Sequence, residues 1–490
     1  MDAQAVSTLK NRLYITAAIF IALMGVSIYF EFFYFALLPL ALLVGWMAFY
    51  RLEMLLICVV ACVPFSINLE DLGIGGVGMY LPTEPMLFGI TLLAIIKLLS
   101  NHHIDRRIFT HPVSIILYIY LTWMSLTAIT SELPIVSFKF IVAKLWFIIP
   151  YYFLGVHLFL NEKYRKWFKL AYLFPLFAVI IYTVTRHASY GFDKDSSHWV
   201  MEPLFKDHTS YGAVLAMFFP VLSALLIQKK MGPALRFFLI LGMVILITGI
   251  VFSYTRAAWL SIFGAAAVLA ILMIKIQLRT VLLALAVVGG IVFAGWEDIQ
   301  VSLERNKQES SDRLEEHITS VSNVSSDASN LERLNRWNCA LEMFAERPLF
   351  GWGPGTYQFV YAPFQRAKDR TIISTNEGDG GNAHSEYLGP LSEQGLPGML
   401  IVLVLVYTVC SLGFKLHYQI RDKEQRMLMT SVFLGLMTYF IHGTLNNYLD
   451  TDKASVPFWG FIDMMVAADL TLRREQDAET KSTPAGAQTL

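Results

Sequence analysis

The sequence predicts an all-α polytopic membrane protein, a bundle of about 12–14 transmembrane helices with one large loop domain on its outer side. The composition, the apolar segments and the distribution of basic residues all predict this fold class. Of the 490 residues, 56% are hydrophobic and 16% are charged, and the mean hydropathy is +0.53. Soluble domains are roughly 25% charged. A soluble core cannot accommodate so many apolar side chains, so we expect lipid to surround the chain.

Fourteen apolar segments approach or reach the length of about 20 residues that a membrane-spanning helix needs. The third segment is short and is also compatible with a re-entrant loop. In chain order the segments are Tyr14–Phe30, Phe33–Tyr50, Met54–Phe65, Tyr80–Leu99, Pro112–Thr130, Phe138–Phe159, Phe168–Thr185, Tyr211–Gln228, Phe237–Phe252, Ala257–Ile274, Val281–Ala294, Met399–Phe414, Met427–Ile441 and Ala454–Leu470.

The basic residues concentrate in alternate loops, which supports this division of the chain. If Lys10 and Arg12 lie inside, the other inside loops carry Arg51, Lys97, Arg106, Arg107, Lys163, Arg165, Lys166, Lys229, Lys230, Arg236, Lys275, Arg279, Lys415, Arg421, Lys423 and Arg426, and the tail carries Arg473 and Arg474. An excess of Lys and Arg marks the cytoplasmic side of a membrane. The sequence therefore predicts two cytoplasmic termini. No small-residue cleavage site follows the first apolar run, which favours an anchor over a signal peptide.

Four regions follow from this topology. Residues 1–294 hold the first eleven spans, 295–398 form the large outer loop domain, 399–470 hold the last three spans, and 471–490 are expected to be a disordered cytoplasmic tail. The first half of the outer loop is polar and Ser-rich. Its second half predicts an amphipathic helix, capped by Ser329 or Asn330, that packs on the bundle or lies at its surface. Its apolar residues recur at helical spacing and are Leu331, Leu334, Trp337, Leu341 and Phe344.

The composition and the motifs exclude several classes of function. A net charge of zero argues against nucleic acid as a partner. We find no motif for a metal site, so no metal is expected. The "GWGPG" segment lacks the lysine and the preceding strand of a phosphate loop, so we expect no nucleotide site. Only Cys339 faces the outer side in this topology, so no disulfide is expected there.

Three basic residues on the outer side are exceptions to the charge bias. Arg256 lies in "FSYTRAAWL", at the tight outer turn between the ninth and tenth spans, and Lys139 and Lys144 lie near the outer end of the sixth. Each side chain could snorkel to the membrane surface and anchor a helix end. Each could also bind a phosphate oxygen, which a guanidinium does with two parallel hydrogen bonds.

His384 is the candidate general base. It lies in "GGNAHSEYLGPLSEQGLPGML", where Asn382 can cap a new helix and place His384 in its first turn. The positive end of a helix dipole disfavours an imidazolium ion there, and a neutral imidazole can accept a proton at pH 7. An interfacial histidine with a hydrogen-bond partner is the alternative.

Other polar residues near the outer side are weaker candidates for substrate binding. Asp207 and His208 precede the eighth span and are equally compatible with a helix cap. Three arginines, Arg333, Arg336 and Arg347, flank the amphipathic helix and are equally compatible with ordinary surface charges.

Three segments together resemble the O-antigen ligase family. "HSEYLGPLSEQGLPG" is similar to the family's signature of a histidine, a small polar residue, nine residues, a glycine, two residues and a glycine. Here these positions are His384, Ser385, Gly395 and Gly398. "SYTRAAWL" and "RPLFGWGPGTY" resemble two further family segments and occur in the family's order. The resemblance covers roughly residues 211–470.

The resemblance implies a glycosyltransferase of the bacterial inner membrane with its active site facing the periplasm. Such enzymes take a glycan from an undecaprenyl diphosphate carrier, so the expected partners are this donor, a glycolipid or glycan acceptor and the lipid bilayer. The implied roles are activation of the acceptor hydroxyl by His384 and binding of the diphosphate by Arg256. No cofactor is implied, because the donor already carries its leaving group. Pro390 departs from the family pattern and is expected to kink the helix after His384.

Within the family the signature favours a ligase, whose acceptor is lipid A–core or a similar glycolipid. A repeat-unit polymerase and a protein O-oligosaccharyltransferase are the alternatives, and the sequence does not distinguish their acceptors. A transporter of lipid-linked sugars belongs to another class. It would predict inverted repeats and charged or broken helices near the membrane midplane. We recognise neither pattern in the sequence.

Overall fold

A computed structural model describes residues 3–31, 38–70, 78–100, 105–229, 231–295, 328–366 and 381–482. Most of them are helical, and two-residue strands, β1 (Ile67–Asn68) and β2 (Tyr80–Leu81), pair antiparallel. The helices are α1 (Ala3–Tyr29), α2 (Leu38–Tyr50), α3 (Leu52–Cys62), α4 (Thr83–Leu99), α5 (Pro112–Ile129), α6 (Pro134–Ile148), α7 (Gly155–Phe159), α8 (Glu162–Ala188), α9 (His208–Ile227), α10 (Pro233–Phe252), α11 (Arg256–Met273), α12 (Leu278–Ala294), α13 (Ala328–Glu346), α14 (Tyr357–Val360), α15 (Leu388–Gln419), α16 (Lys423–His442) and α17 (Asp452–Ser482).

Every predicted apolar segment coincides with a helix of this set. The sixth predicted span is two helices, α6 and α7, joined by a π-helical turn at Ile149–Leu154. Among the described residues, eight helices are long and apolar enough to cross a membrane, and shorter apolar helices accompany them. The protein is therefore an all-α polytopic membrane protein, as predicted.

The chain divides into two compact units, residues 1–58 and 59–490. The smaller unit contains α1, α2 and the beginning of α3. Large apolar side chains on these helices are exposed, such as Ile21 on α1 and Leu42 on α2. Side chains of this kind are stable at a helix surface when the surroundings are lipid.

In the larger unit, α17 forms the centre of the bundle. Every residue from Asp452 to Leu470 is buried, and α17 packs against α6, α7, α9, α15 and α16. In contrast, α10 lies at the periphery and exposes Ile240, Leu241 and Val244. Apolar residues thus face both the core and the surroundings, which is the pattern of a membrane bundle.

Asp463 contradicts the expectation that no charged residue lies in the middle of the bundle. It is fully buried in α17, and neither carboxylate oxygen has a hydrogen-bond partner among the described residues. It faces the beginning of α7, where a Cβ atom added to Gly155 would lie 2.1 Å from Asp463 Oδ2. A single acidic residue hardly changes the hydropathy of a span, so the sequence did not draw attention to it.

Ion pairs join the predicted basic loops at one end of the larger unit, which we call the basic end. Arg107 pairs with Asp477 at 3.3 Å, and Arg421 pairs with Glu479 at 2.7 Å. The opposite end, which we call the cavity end, contains the first residues of α9, α11, α15 and α17. The predicted inside loops of Arg107 and Arg421 therefore lie at the same end of the larger unit as the tail.

The predicted disordered tail is partly wrong, because α17 continues as a helix to Ser482. Residues such as Glu, Gln, Ala and Arg in this part have high helix propensity. The ion pair of Arg474 with Asp105, at 2.5 Å, also fixes the helix to the loop before α5. Residues 483–490 lie outside the described part of the chain.

The amphipathic helix exists as α13 and packs against α15 of the bundle, but its buried face is not the predicted apolar stripe. Its buried residues are Glu332, Asn335, Arg336, Cys339, Ala340 and Met343. Leu341 of the predicted apolar stripe is 44% exposed. The buried face meets the segment after the helix, where Trp352, Tyr357 and Tyr361 form a small core with it. The Ser-rich first half of the outer loop, residues 303–327, lies outside the described residues.

Candidate functional site

A polar cavity of about 340 Å³ opens at the cavity end. Loops and helix ends from several parts of the larger unit contribute its walls. The charged and amide side chains in its lining are Lys144, Lys206, Asp207, Gln358, Asn382, Glu386, Glu393, Gln394, Asn447, Asp450 and Lys453. Cations and carboxylates therefore alternate around a space large enough for a small polar ligand.

His384 lies in a turn at the edge of this cavity. Its chain neighbours Ala383 and Ser385 both line the cavity. Its backbone is left-handed, with φ of 47°, and its N–H donates to Asn382 Oδ1 at 3.1 Å. Asn382 therefore stabilises the turn of His384, although His384 itself is not among the residues that line the cavity.

The prediction that His384 belongs to the first turn of a helix is wrong, because α15 begins four residues later, at Leu388. Ser385 Oγ accepts hydrogen bonds from the N–H groups of Tyr387 and Leu388, each at 3.3 Å. A serine hydroxyl satisfies the first N–H groups of a helix well. Ser385 of the signature thus stabilises the turn that leads into α15, and His384 lies one residue before it.

The environment of His384 keeps its imidazole neutral. Burial, followed by the positive charges of Arg333 and Arg336, lowers the pKa of His384 to about 4. The indole Nε1 of Trp337 donates to the His384 carbonyl oxygen at 3.4 Å. A neutral imidazole was predicted from a helix dipole; the same state results here from burial and neighbouring cations.

Two of the predicted arginines on α13 lie next to this turn. Arg336 donates from Nε to Glu332 Oε1 at 2.6 Å, and its guanidinium lies 4.1 Å from the ring centre of Tyr361. Arg333 donates from Nε to the carbonyl oxygen of Leu445 at 3.3 Å. Neither residue lines the cavity, so both act on it through the charge they place near His384.

Asp207 caps a helix and also lines the cavity, so it has both of the roles that the sequence left open. Its Oδ1 accepts from the N–H groups of Thr209 and Ser210 at 2.9 and 2.7 Å, so it caps α9, and it also lines the cavity. Burial raises the pKa of Asp207, but hydrogen bonds from Thr209 and Ser210 outweigh that effect and hold it below its usual value. Asp207 is therefore a fixed negative charge in the cavity wall.

Arg256 and His208 lie at the same end of the bundle. Arg256 is the first residue of α11. The preceding hydroxyl, Thr255 Oγ1, donates to the His208 carbonyl oxygen at 2.8 Å, which joins the start of α11 to the start of α9. His208 stacks near His198, with ring centres 4.2 Å apart. Neither Arg256 nor His208 is among the residues that line the cavity.

The two predicted lysines of α6 differ in position. Lys144 lines the cavity, and its Nζ donates to the Leu449 carbonyl oxygen at 2.8 Å and to Asp450 Oδ1 at 2.7 Å. Lys139 is exposed and does not line the cavity. Of this pair, only Lys144 can contact a ligand in the cavity.

The segment "RPLFGWGPG" packs on the first turns of α15. Gly353 N–H donates to the Glu393 carbonyl oxygen at 2.8 Å, and Leu396 N–H donates to that of Pro348 at 2.9 Å. Arg347, at the start of this segment, pairs with Glu132 at 2.8 Å, and its guanidinium stacks on the ring of Trp352. Arg347, predicted to bind substrate, thus lies in a structural contact outside the cavity lining.

Gly395 and Gly398 of the signature have backbone roles in this contact. Gly395 has φ of 70° and interrupts α15, and a Cβ there would lie 2.2 Å from the Leu349 carbonyl oxygen. A Cβ on Gly398 would lie 2.4 Å from Gln394 Cβ. The predicted kink at Pro390 is wrong. Pro390 is the third residue of α15, where an N–H has no partner within the helix anyway.

Sequence reasoning missed Glu386, two residues after His384. Its Oε1 accepts from the Tyr439 hydroxyl at 2.5 Å and from the N–H groups of Tyr448 and Leu449 at 2.8 and 3.0 Å. Burial raises the pKa of Glu386, although Lys144 opposes this effect. Glu386 holds the loop between α16 and α17 against the cavity. The only hint of this role in the sequence was that Glu386 is a carboxylate within the family signature.

The described residues contain no group of three His, Cys, Asp or Glu side chains arranged to hold a metal ion. The arrangement combines a neutral imidazole at the edge of a polar cavity with several cations in its wall. The imidazole can accept a proton from a hydroxyl group, and the cations can stabilise an anion that forms nearby.

Residues 241–403, from α10 to the middle of α15, match the protein-family model described as O-antigen ligase. This range contains the three sequence segments on which the resemblance rests, and with them Arg256 and His384. No curated protein matches the chain.

Proposed function

With an O-antigen ligase domain over residues 241–403 as the premise, we propose that this membrane protein is an inverting glycosyltransferase. It moves a glycan from undecaprenyl diphosphate to an acceptor hydroxyl. The acceptor is lipid A–core or a similar glycolipid, as in an O-antigen ligase. The reaction takes place on the periplasmic side of the bacterial inner membrane, and both termini are cytoplasmic.

The position of His384 is the observation that carries this proposal. It lies between two cavity-lining residues, Ala383 and Ser385, and the lowered pKa of its imidazole leaves the ring neutral at physiological pH. In the reaction, the acceptor oxygen attacks the anomeric carbon while His384 takes the hydroxyl proton. The bond from this carbon to the diphosphate breaks, and the diphosphate departs with the electron pair. Direct displacement inverts the configuration.

The cations at the cavity end stabilise the leaving diphosphate, which is the second requirement of the reaction. Lys144 and Lys206 line the cavity, and Arg256 begins α11 at the same end. The departing lipid diphosphate carries negative charge, which preplaced cations stabilise. We assign the diphosphate to Arg256 and Lys144, and a guanidinium suits it because of its paired donors.

The distribution of basic residues supports the orientation. The predicted cytoplasmic loops meet at the basic end through ion pairs such as Arg421 with Glu479, and the cavity lies at the other end. Because Lys and Arg mark the cytoplasmic side, the cavity faces the periplasm. Lipid-linked glycans on the outer leaflet would meet it there.

A transfer assay with purified full-length protein tests the proposal. The protein is supplied with undecaprenyl diphosphate glycan and a lipid A–core acceptor, and released undecaprenyl diphosphate is measured. We expect His384→Ala to lower the rate by about 10²–10⁴-fold, the usual contribution of general base catalysis. We expect Arg256→Met also to lower it, since it removes a cation from the diphosphate.

His417→Ala is the matched control. His417 lies in the last turn of α15 and bonds to the Thr430 hydroxyl at 2.8 Å, far along the bundle from His384. This variant should retain the wild-type rate. A folded His384→Ala protein with full transfer activity would refute the assignment of the base.

The same assay distinguishes the alternatives. A repeat-unit polymerase would use the growing glycan as acceptor, and a protein O-oligosaccharyltransferase would use a protein hydroxyl. A transporter of lipid-linked sugars would consume no donor at all. Asp463 gives that last alternative its one structural argument, because buried charges in the middle of a bundle mark transport pathways in many membrane proteins. Donor consumption that depends on His384 excludes it.

A further inference from the structure

A second cavity, of about 440 Å³, opens at the basic end. Its walls are the first two turns of α8, the end of α9 and the start of α16. Four basic residues of α8 line it: Lys163, Arg165, Lys166 and Lys169. It lies at the opposite end of the bundle from His384, so the proposed transfer reaction does not use it.

Two of these cations are buried on one stripe of α8. Arg165 and Lys169 are 4% and 2% exposed, and they are four residues apart, so they lie on the same face of the helix. Like charges at this spacing destabilise a helix. Burying an ammonium group is unfavourable unless an anion compensates its charge.

For Lys169, the repulsion from Arg165 exceeds the attraction from the carboxylate of Glu162. No hydrogen bond or ion pair is formed by its Nζ among the described residues, and it lines the cavity. Arg165 is partly satisfied: Nε donates to the Phe159 carbonyl oxygen at 2.5 Å, and Nη2 lies 3.5 Å from Thr471 Oγ1. A buried ammonium group facing a cavity is suited to an anionic ligand.

The carboxylates around the cavity are engaged by other donors. Asp422 accepts from the N–H of Gln425 at 2.7 Å and caps α16. Glu162 accepts from the side-chain amide of Gln425 at 3.2 Å, and Glu424 accepts from the N–H of Lys229 at 3.3 Å. These contacts hold the three carboxylates in place, while the two buried cations, Arg165 and Lys169, lie in the part of the cavity wall that α8 forms.

We propose that this cavity binds a phosphate-bearing anion, with Lys169 and Arg165 as its principal contacts. Lys169 is seven residues from the start of α8, which places it about 10 Å along the helix. That depth corresponds to the headgroup region of a leaflet, and the exposed Lys163 and Lys166 attract anions to the opening. The phosphate belongs to an anionic phospholipid headgroup or to a free phosphate ion.

Binding to the purified full-length protein tests this site. In one arm, retention of phosphatidylglycerol and of phosphatidylcholine is compared by native mass spectrometry. In the other, inorganic phosphate is titrated while thermal unfolding is followed. Preferential retention of phosphatidylglycerol without an effect of inorganic phosphate assigns the site to a lipid, and stabilisation by inorganic phosphate assigns it to the free ion.

Lys169→Met should weaken the observed binding by roughly tenfold or more, because it removes a hydrogen bond to a charged group. Lys169→Arg should retain it. Lys229→Met removes an exposed positive charge near the same end, outside the cavity lining, and should bind as the wild type does. If Lys169→Met does not fold, Lys166→Met takes its place with a smaller expected loss. Equal retention of the two lipids with no effect of phosphate, or wild-type binding by Lys169→Met, would overturn the proposal.

Discussion

Replacing Gly395 by alanine should destabilise the protein and disturb the cavity end. Gly395 has φ of 70° and ψ of −172°, a conformation that is essentially restricted to glycine and costs another residue about 1–3 kcal/mol. Its new Cβ would lie 2.2 Å from the Leu349 carbonyl oxygen and 2.7 Å from that of Pro348. Both contacts are with backbone atoms, so no side-chain rotation can relieve them.

Relief of these contacts requires separation of the "RPLFGWGPG" segment from α15. The hydrogen bonds from Leu396 N–H to Pro348 and from Gly353 N–H to Glu393 would then be lost, at about 1 kcal/mol each. With the backbone strain, we expect a loss of about 3–5 kcal/mol in the free energy of unfolding. Transfer activity should fall as well, because α15 begins just after His384.

Gly389→Ala is the matched control on the same helix. Gly389 is the second residue of α15, and a Cβ there would meet no atom within 4 Å. Alanine is favoured over glycine in a helix by roughly 0.5–1 kcal/mol, so this variant should be as stable as the wild type or more so. Reversible unfolding in detergent, followed by tryptophan fluorescence, measures both. Equal stability of the two alanine variants would refute the role assigned to Gly395.

Three further predictions concern the cavity end. The transfer rate should be independent of pH from about 5 to 8. It should fall only as His384 becomes protonated near its lowered pKa of about 4. An inflection in the rate near the usual histidine pKa of about 6.5 would contradict this prediction. Lys144→Met should lower kcat/KM by roughly tenfold, because Lys144 lines the cavity. Lys139→Met should have no effect, because Lys139 does not line it. Equal kinetics of the two variants would show that Lys144 does not bind substrate. Arg347→Met should lower the free energy of unfolding by about 1 kcal/mol, because the ion pair with Glu132 and the stacking on Trp352 are lost. The transfer rate of this variant should equal that of the wild type. A large loss of rate in a stable variant would show that Arg347 binds substrate.

The sequence by itself determined the order of the apolar helices and the concentration of basic residues in alternate loops. Both depend on local properties of the chain. A run of apolar residues must form a helix in lipid, because every backbone N–H and C=O needs a partner. The charge bias is equally visible along the chain. The family signature at His384 was also readable from the order and spacing of a few residues.

The tertiary structure decided which residues face the cavity and which only support it. Lys139 and Lys144 look alike in sequence, yet only Lys144 lies in the wall. The kink of α15 falls at Gly395 and not at Pro390, because the cost of a proline depends on whether its missing N–H would have had a partner. The role of Glu386 depends on partners 53 or more residues away in the chain, and that of Lys169 depends on the surroundings of its buried ammonium group. Such contacts leave no periodic trace in the sequence.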